Sequence, residues 1–169
     1  MTVDSFKFLP RLIATFYQMT ERAPDLPVPW TPLTKPLSEC NFSLVTSGGL
    51  YVKTNQDPIN LDRERKEPRW GDPSLRIIPM DIRPSEVAIN HLHVNTTYVE
   101  QDINVLLPVT RMQELVRDGT IGSVAHHAYS FMGYQGYPPD TSAWESTYAP
   151  HMIDELGAEG VDCVLLTPS

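Results

Sequence analysis

Val161-Asp162-Cys163-Val164-Leu165-Leu166-Thr167 is a near-continuous apolar run, the pattern of a strand covered on both faces, as buried parallel strands are. Before it, residues 142–158 carry Trp144, Tyr148, Met152, Ile153 and Leu156 at helical spacing, which predicts a helix ended by Gly157 or Gly160. A helix feeding an apolar strand is the repeating unit of layered α/β architectures, and the alternation continues upstream. Residues 42–46 read as a buried strand running into the tight turn Ser47-Gly48-Gly49. Ile77-Ile78 and residues 80–82 read as a short strand interrupted by Pro79, and 87–92 and 124–132 as further strands. Thr110 is the expected N-cap of a helix through Val116, closed by Asp118-Gly119. Residues 53–74 are polar and rich in turn formers, a long surface excursion. The fold class expected is α/β: a layered, mostly parallel sheet with flanking helices, incomplete at the C-terminus. Parallel sheets place their chemistry beyond the carboxyl ends of the strands, and the chain ends three residues after Leu166, where a catalytic loop would begin. The alternative is a C-terminal strand in a compact domain.

Upstream of the sheet the character changes. Phe8, Leu9, Leu12, Ile13, Phe16, Tyr17 and Met19 predict an amphipathic helix over residues 5–22. Pro24, Pro27, Pro29, Pro32 and Pro36, with Trp30 among them, require extended or turning backbone, because each ring fixes φ and biases its predecessor away from helix. Two parts follow: residues 1–40, a helix and proline-rich connector, and residues 41–169, the α/β domain. With 41% hydrophobic and 20% charged residues, the chain is globular in composition. Its formal charge of −8 argues against nucleic acid and anionic membrane as partners. No apolar run approaches the roughly 18 residues of a membrane span. Asp4, Lys7 and Arg11 break up the N-terminal apolar pattern, so it is not a secretory signal. Two cysteines, Cys40 and Cys163, with no zinc spacing, suit reduced thiols in the cytoplasm.

Several segments, in order, resemble the selenoprotein subunits of the glycine, sarcosine, betaine and D-proline reductases. They are Leu44-Val45-Thr46-Ser47-Gly48-Gly49, Gly71-Asp72-Pro73-Ser74-Leu75-Arg76-Ile77-Ile78-Pro79 and Asn90-His91-Leu92-His93. The strongest is Asp102-Ile103-Asn104-Val105-Leu106-Leu107-Pro108 running on to Arg111, Glu114-Leu115-Val116, Gly119 and Ile121-Gly122. Ser130-Phe131-Met132-Gly133 and the run from Gly160 to Pro168 complete the set. The resemblance is to the selenoprotein B type, and most to the D-proline reductase selenocysteine subunit. It implies an oxidoreductase that reductively cleaves the C–N bond of an amino acid, D-proline to 5-aminovalerate or a related substrate. It also implies that a pyruvoyl group on a partner subunit forms an iminium with the substrate nitrogen, a selenolate attacks the α-carbon, and a neighbouring thiol resolves the selenide. In that family the strand ending Leu-Thr-Pro leads directly to selenocysteine or cysteine, so the nucleophile is expected directly after Ser169 and is absent from this sequence. A translation blind to selenocysteine, whose codon otherwise means stop, would end here. The alternative is a non-catalytic binding or assembly module that keeps the scaffold without the redox residue. An oligomer is expected, as is poor solubility without the continuation.

The candidate assisting residues are His91 and His93. Two apart at a strand end, both point to one face, where they could orient substrate, donate a proton to the leaving amine or hold a selenolate ionised; they could equally be surface or hydrogen-bonded histidines. Asp102, Asn104 and Arg111 are the substrate-binding candidates. Arg111 could clamp a carboxylate or simply pair with Glu114, and Asp102 and Asn104 could shape a turn. Gly48, Gly49, Gly133, Thr167, Pro168 and Ser169 are expected in loops near the site. Gly48-Gly49 without G-x-G-x-x-G reads as a turn more than as a nucleotide cradle, and the Gly133–Pro139 stretch as a lid or a plain loop. Cys163 reads as an inert core thiol. No metal is expected, because no Asp, Glu or Cys lies at tight spacing from His91, His93, His126 and His127.

Overall fold

A computed structural model of the chain describes residues 31–92, 94–136 and 138–169, together with 10–12, 15 and 19. The chain divides into two compact units, Met1–Pro32 and Leu33–Ser169. In the first, Arg11, Leu12, Thr15 and Met19 are helical, and the Thr15 hydroxyl donates to the Arg11 carbonyl at 2.9 Å. The rest of the helix expected over 5–22, and the connector from Pro24 to Trp30, lie outside the described residues.

The second unit is built on a mainly parallel sheet. Its centre is β1 (Asn41–Thr46). The start of β1 pairs in parallel with β5 (Ser123–Val124), its end with β6 (His127–Ser130), and its other edge with β7 (Cys163–Thr167) from Phe42 opposite Cys163 to Thr46 opposite Thr167. β3 (Arg76–Pro79) runs antiparallel along β6. A separate antiparallel pair joins β2 (Leu50–Val52) to β4 (Val87–Ile89). Among the described residues the unit also holds four α-helices: α1 (Leu61–Lys66), α2 (Thr96–Gln101), α3 (Val109–Arg117) and α4 (Ala149–Ala158). Among the described residues no helix is long and apolar enough to cross a membrane.

Strand alternation sorts the side chains into two layers. Leu44, Ile78 and Ala128 share one face and bury into a core with Leu50, Leu107 and Val109. Ser43, Val45, His127 and Tyr129 share the other, the side on which Val45 meets Ala149 and Met152 of α4 around one cavity. Before α4 the chain makes a π-helical turn, Trp144–Tyr148. Pro150 has no N–H to donate to the Ser146 carbonyl, so the ladder cannot close with α spacing there.

The structure differs from the sequence reading at five places. The run at 161–167 is not buried throughout: Val164, Leu165 and Leu166 are 39%, 42% and 68% exposed. Among the described residues β7 pairs with β1 along one edge, and an edge strand leaves apolar side chains in solvent. The strand expected at 124–132 is two strands, β5 and β6: the Ala125 N–H still donates to Phe42 of β1, but the His126 N–H is accepted by the Glu159 side chain, which interrupts the ladder. The strand expected at 87–92 stops at Ile89, before His91. Thr110 lies inside the first turn of α3 instead of capping it, and its backbone N–H is accepted by the Asn104 side chain at 3.1 Å. The stretch at 53–74 is not all surface, since Ile59 and Glu64 are buried.

Candidate functional site

Three strand ends converge beyond the carboxyl edge of the sheet. β1 runs into Ser47-Gly48-Gly49, β6 into Phe131-Met132-Gly133, and β7 into Pro168-Ser169. The Ser47 N–H donates to the Thr167 carbonyl at 3.3 Å, the Gly133 N–H to the Ser47 carbonyl at 2.8 Å, and the Gly49 N–H to the Phe131 carbonyl at 2.7 Å. The Ser169 N–H donates to Ser47 Oγ at 2.9 Å. Thr46 and Thr167 tie the rows together: Thr46 Oγ1 accepts from Gly48 N and donates to the Thr167 carbonyl, both at 3.1 Å, and Thr167 Oγ1 donates to the Leu106 carbonyl at 2.7 Å.

The glycines are needed because backbone comes too close for a side chain. A Cβ on Gly48 would stand 2.6 Å from Leu106 Cδ1. Gly49 adopts φ +67°, and its Cβ would stand 2.7 Å from Ile59 Cδ1 and 3.4 Å from His91 Cδ2. All six loop residues expected near the site, Gly48, Gly49, Gly133, Thr167, Pro168 and Ser169, lie at these strand ends.

Beside them lies an apolar cavity of about 480 Å³, lined by Thr46, Ser47, Thr167 and Pro168 and walled by Phe131, Trp144, Met152 and Leu166. The Phe131 and Trp144 rings meet with centroids 5.2 Å apart and planes tilted by 56°. Trp144 Nε1 is buried without a hydrogen-bond partner among the described residues. The cavity therefore offers mainly apolar walls, a wall composition typical of small-ligand sites.

His91 is 5% exposed and sits against Gly49. Its Nδ1 lies 3.6 Å from Oε1 of Glu64, whose side chain is 1% exposed. Glu64 comes from α1, capped by Asn60, whose side chain accepts from the Arg63 N–H. Burying a carboxylate on so polar a helix needs specific partners, and His91 is one of them; the Leu92 N–H donates to Glu64 Oε2 at 3.4 Å. Glu64 was not singled out from the sequence. Leu61-Asp62-Arg63-Glu64-Arg65-Lys66 has no apolar face to mark which side turns inward; the only local signal is Ile59 just before it. His93 lies outside the described residues.

Asp102, Asn104 and Arg111 do not join this cluster. Asp102 and Asn104 line a separate cleft of about 690 Å³ with Lys53, Ser85 and Glu100. Asp102 Oδ1 accepts from the Asn104 N–H and side-chain amide at 3.0 and 2.7 Å. Those two bonds hold its carboxyl below the ordinary aspartate value. Asn104 Oδ1 accepts from the Thr110 N–H and hydroxyl, which caps α3. Arg111, with its side chain 61% exposed, pairs with Glu114 at 2.8 Å. Each polar group is thus engaged in local structure. Cys163 is half-buried, and burial followed by the neighbouring Cys40 pushes its thiol above the ordinary value, which disfavours a thiolate nucleophile there.

Residues 11–169 match the profile of the glycine/sarcosine/betaine reductase selenoprotein B family. The match starts well before Phe42, where the recognisable motifs begin, and includes part of the N-terminal unit. D-proline reductase subunit gamma of Acetoanaerobium sticklandii is 34% identical over 145 residues, covering 85% of this chain and 55% of that protein. Glycine reductase complex component B subunit gamma of Symbiobacterium thermophilum is 32% identical over 140 residues, 83% of this chain and 31% of that one. Sarcosine reductase complex component B subunit beta of Peptoclostridium acidaminophilum is 27% identical over 141 residues, 83% of this chain and 30% of that one. The chain thus spans about half the length of the first relative and under a third of the other two. No solved structure matches. With its whole α/β unit inside the matched region, the chain belongs to the glycine/sarcosine/betaine reductase selenoprotein B family.

Proposed function

We propose that this chain is part of a selenol- or thiol-dependent amino-acid reductase subunit, which acts with a pyruvoyl-bearing partner subunit in the cytoplasm. The reaction is reductive cleavage of the C–N bond of D-proline or a related amino acid. In this reading residues 41–169 are the N-terminal part of the reductase domain, residues 1–40 precede it as helix and connector, and the redox residue follows Ser169. The observation that carries the reading is the convergence of β1, β6 and β7 on one apolar cavity, with Thr167-Pro168-Ser169 hydrogen-bonded to the Ser47 turn.

The residues present suit a selenol or thiol at that position. A selenol supplies a nucleophile ionised at neutral pH, where an ordinary thiol with a pKa near 8.5 is mostly protonated. The backbone of Ser169 is anchored by Ser47, so the following residue starts from a fixed point, as a nucleophile in a defined approach geometry requires. Phe131, Trp144, Met152 and Leu166 give the position an apolar wall on one side. His91, oriented by Glu64 behind the Gly49 turn, is the acid–base candidate with the best support. Asp102, Asn104 and Arg111 remain the substrate-binding candidates, with Arg111 the one suited to a carboxylate, if substrate extends toward this segment.

The test is to express the gene through the codon after Ser169 with selenium supplied, and weigh the product by mass spectrometry. The protein is then assayed with the pyruvoyl subunit, a dithiol and D-proline for 5-aminovalerate. Selenium in the protein and D-proline-dependent product are expected. A product lacking both selenocysteine and cysteine at that position would sink the catalytic reading in favour of a binding or assembly role. Activity only on another amino acid would replace D-proline and leave the chemistry standing.

A further inference from the structure

We infer that His127, Glu155 and Glu159 form a binding site for one divalent first-row transition-metal ion, with Zn²⁺ the ion that suits the set best. The site lies at the opposite end of the sheet from Thr167-Pro168-Ser169 and does not depend on the reductase reading.

His127 opens β6. Glu155 lies in α4, and Glu159 is the residue that caps the C-terminal end of that helix. Four residues apart, the two carboxylates project from the same side of consecutive helical turns, facing the strand. One imidazole nitrogen and one oxygen from each carboxylate all lie within 4.8 Å of one another. Ligand lengths of about 2.0–2.2 Å to zinc bring such atoms into a common coordination sphere after small side-chain rotations. One imidazole and two carboxylates is a borderline donor set, better matched to zinc or manganese than to magnesium, which prefers oxygen ligands and keeps its waters.

Two of the three ligands are already held in place. Glu159 Oε2 accepts the backbone N–H groups of His126 and His127 at 2.7 and 3.2 Å, and its other oxygen contacts His127 Nδ1. The His127 and Glu159 side chains are 38% and 11% exposed, so the pair is anchored from behind and open to an entering ion. Three protein ligands leave a fourth position for water.

A second observation comes from the strand. Tyr129 stands two residues beyond His127 on β6 and therefore on the same face, under α4. It is fully buried, and its hydroxyl has no hydrogen-bond partner among the described residues. It lies close enough to Glu159 and Glu155 for their charges to act on it. Buried hydroxyls without partners are rare, and an ion-bound water between the carboxylates would supply the missing one.

Chain spacing concealed this cluster. Glu159 follows His127 by 32 residues, and only the packing of α4 on β6 brings them together. An ion there would fasten the C-terminal end of the helix whose other end, through Ala149 and Met152, walls the apolar cavity.

The test is calorimetric titration of the chelator-treated, full-length protein with ZnCl₂, alongside MnCl₂ and MgCl₂, with thermal unfolding at saturating zinc. One zinc per chain and a rise in Tm are expected, with little or no magnesium binding. Glu155→Gln is the decisive variant, because it leaves the Glu159 bonds to backbone and to His127 in place. It should fold normally by circular dichroism and bind zinc at least about 10–100-fold more weakly, and His127→Asn should do the same. Absence of zinc binding by the wild-type chain, or one-to-one binding unchanged in Glu155→Gln, would overturn the proposal.

Discussion

Two regions of the α/β unit were both candidates for chemistry, and they are built in opposite ways. The Asp102–Arg111 segment is rich in side chains that could touch a substrate, yet each of them is occupied with its own backbone or a helical neighbour. The Ser47-Gly48-Gly49 turn has almost no side-chain chemistry, yet three strand ends, a cavity and the buried Glu64–His91 pair gather around it. The difference teaches that, in this fold, close backbone approach marks where elements converge better than functional groups do. Glycine is required where elements converge, whereas polar side chains are also required wherever a helix or turn must be capped.

The comparison breaks first at Gly49. Gly49→Ala should incur a left-handed backbone cost of roughly 1–2 kcal/mol, with overpacking against Ile59 adding roughly 1–3 kcal/mol. Urea unfolding measures the loss directly. A midpoint close to wild type would mean that the turn is loose and the convergence unimportant.

Next comes Glu64→Gln, which leaves His91 buried beside an amide; about 1–3 kcal/mol should be lost. In the proposed reductase assay, activity of the full-length protein should fall by more than that stability loss accounts for. If activity holds while stability drops, the pair is structural and the cluster loses its acid–base candidate.

Asp72 is an intermediate case, a carboxylate that braces its own loop but does so in the interior. Burial alone would raise its carboxyl, and the hydrogen bonds from Ser74 and Arg76 outweigh it and hold it below the ordinary value. Because the folded value is depressed, its contribution to stability is complete above the unfolded value near 3.9 and is lost as pH falls through the folded one. Stability measured by urea unfolding should therefore decline below about pH 4, and Asp72→Asn should flatten that decline. An identical acid limb in the variant would show that the loop is braced by other groups.

Asn104→Ala should cost about 0.5–2 kcal/mol through the lost cap on α3, with no change in KM beyond that. The smallest effect is expected for Arg111→Ala, since an exposed pair with Glu114 contributes only about 0.2–0.5 kcal/mol. A large rise in KM with stability unchanged in either variant would move the substrate carboxylate to this segment and reverse the comparison.

Much of the fold was legible because periodicity reports burial. Val45 and Leu44 in β1, Ile77-Ile78 in β3 and the helix around Met152 were all placed from apolar spacing alone. The apolar run at 163–167 was correctly read as a strand but not as a buried one, because hydrophobicity records what a residue would favour and not whether a neighbour is there to cover it. Of the candidate site, the part legible was the turn dictated locally at Gly48 and Gly49. It was not legible at Glu64 or at Tyr129, since nothing within a few residues of either announces its partner.

What the sequence determined by itself was therefore local or cumulative: the α/β alternation, the glycine turn and, through ordered short motifs, the family. Only the tertiary structure decided that Asn104 caps a helix, that Glu64 meets His91 across 27 residues of chain, and that His127 faces two carboxylates of α4. The physical reason is that backbone preferences and hydrophobic periods act over a few residues, while hydrogen bonding, ion pairing and coordination depend on distances in space that are settled only when the layers pack.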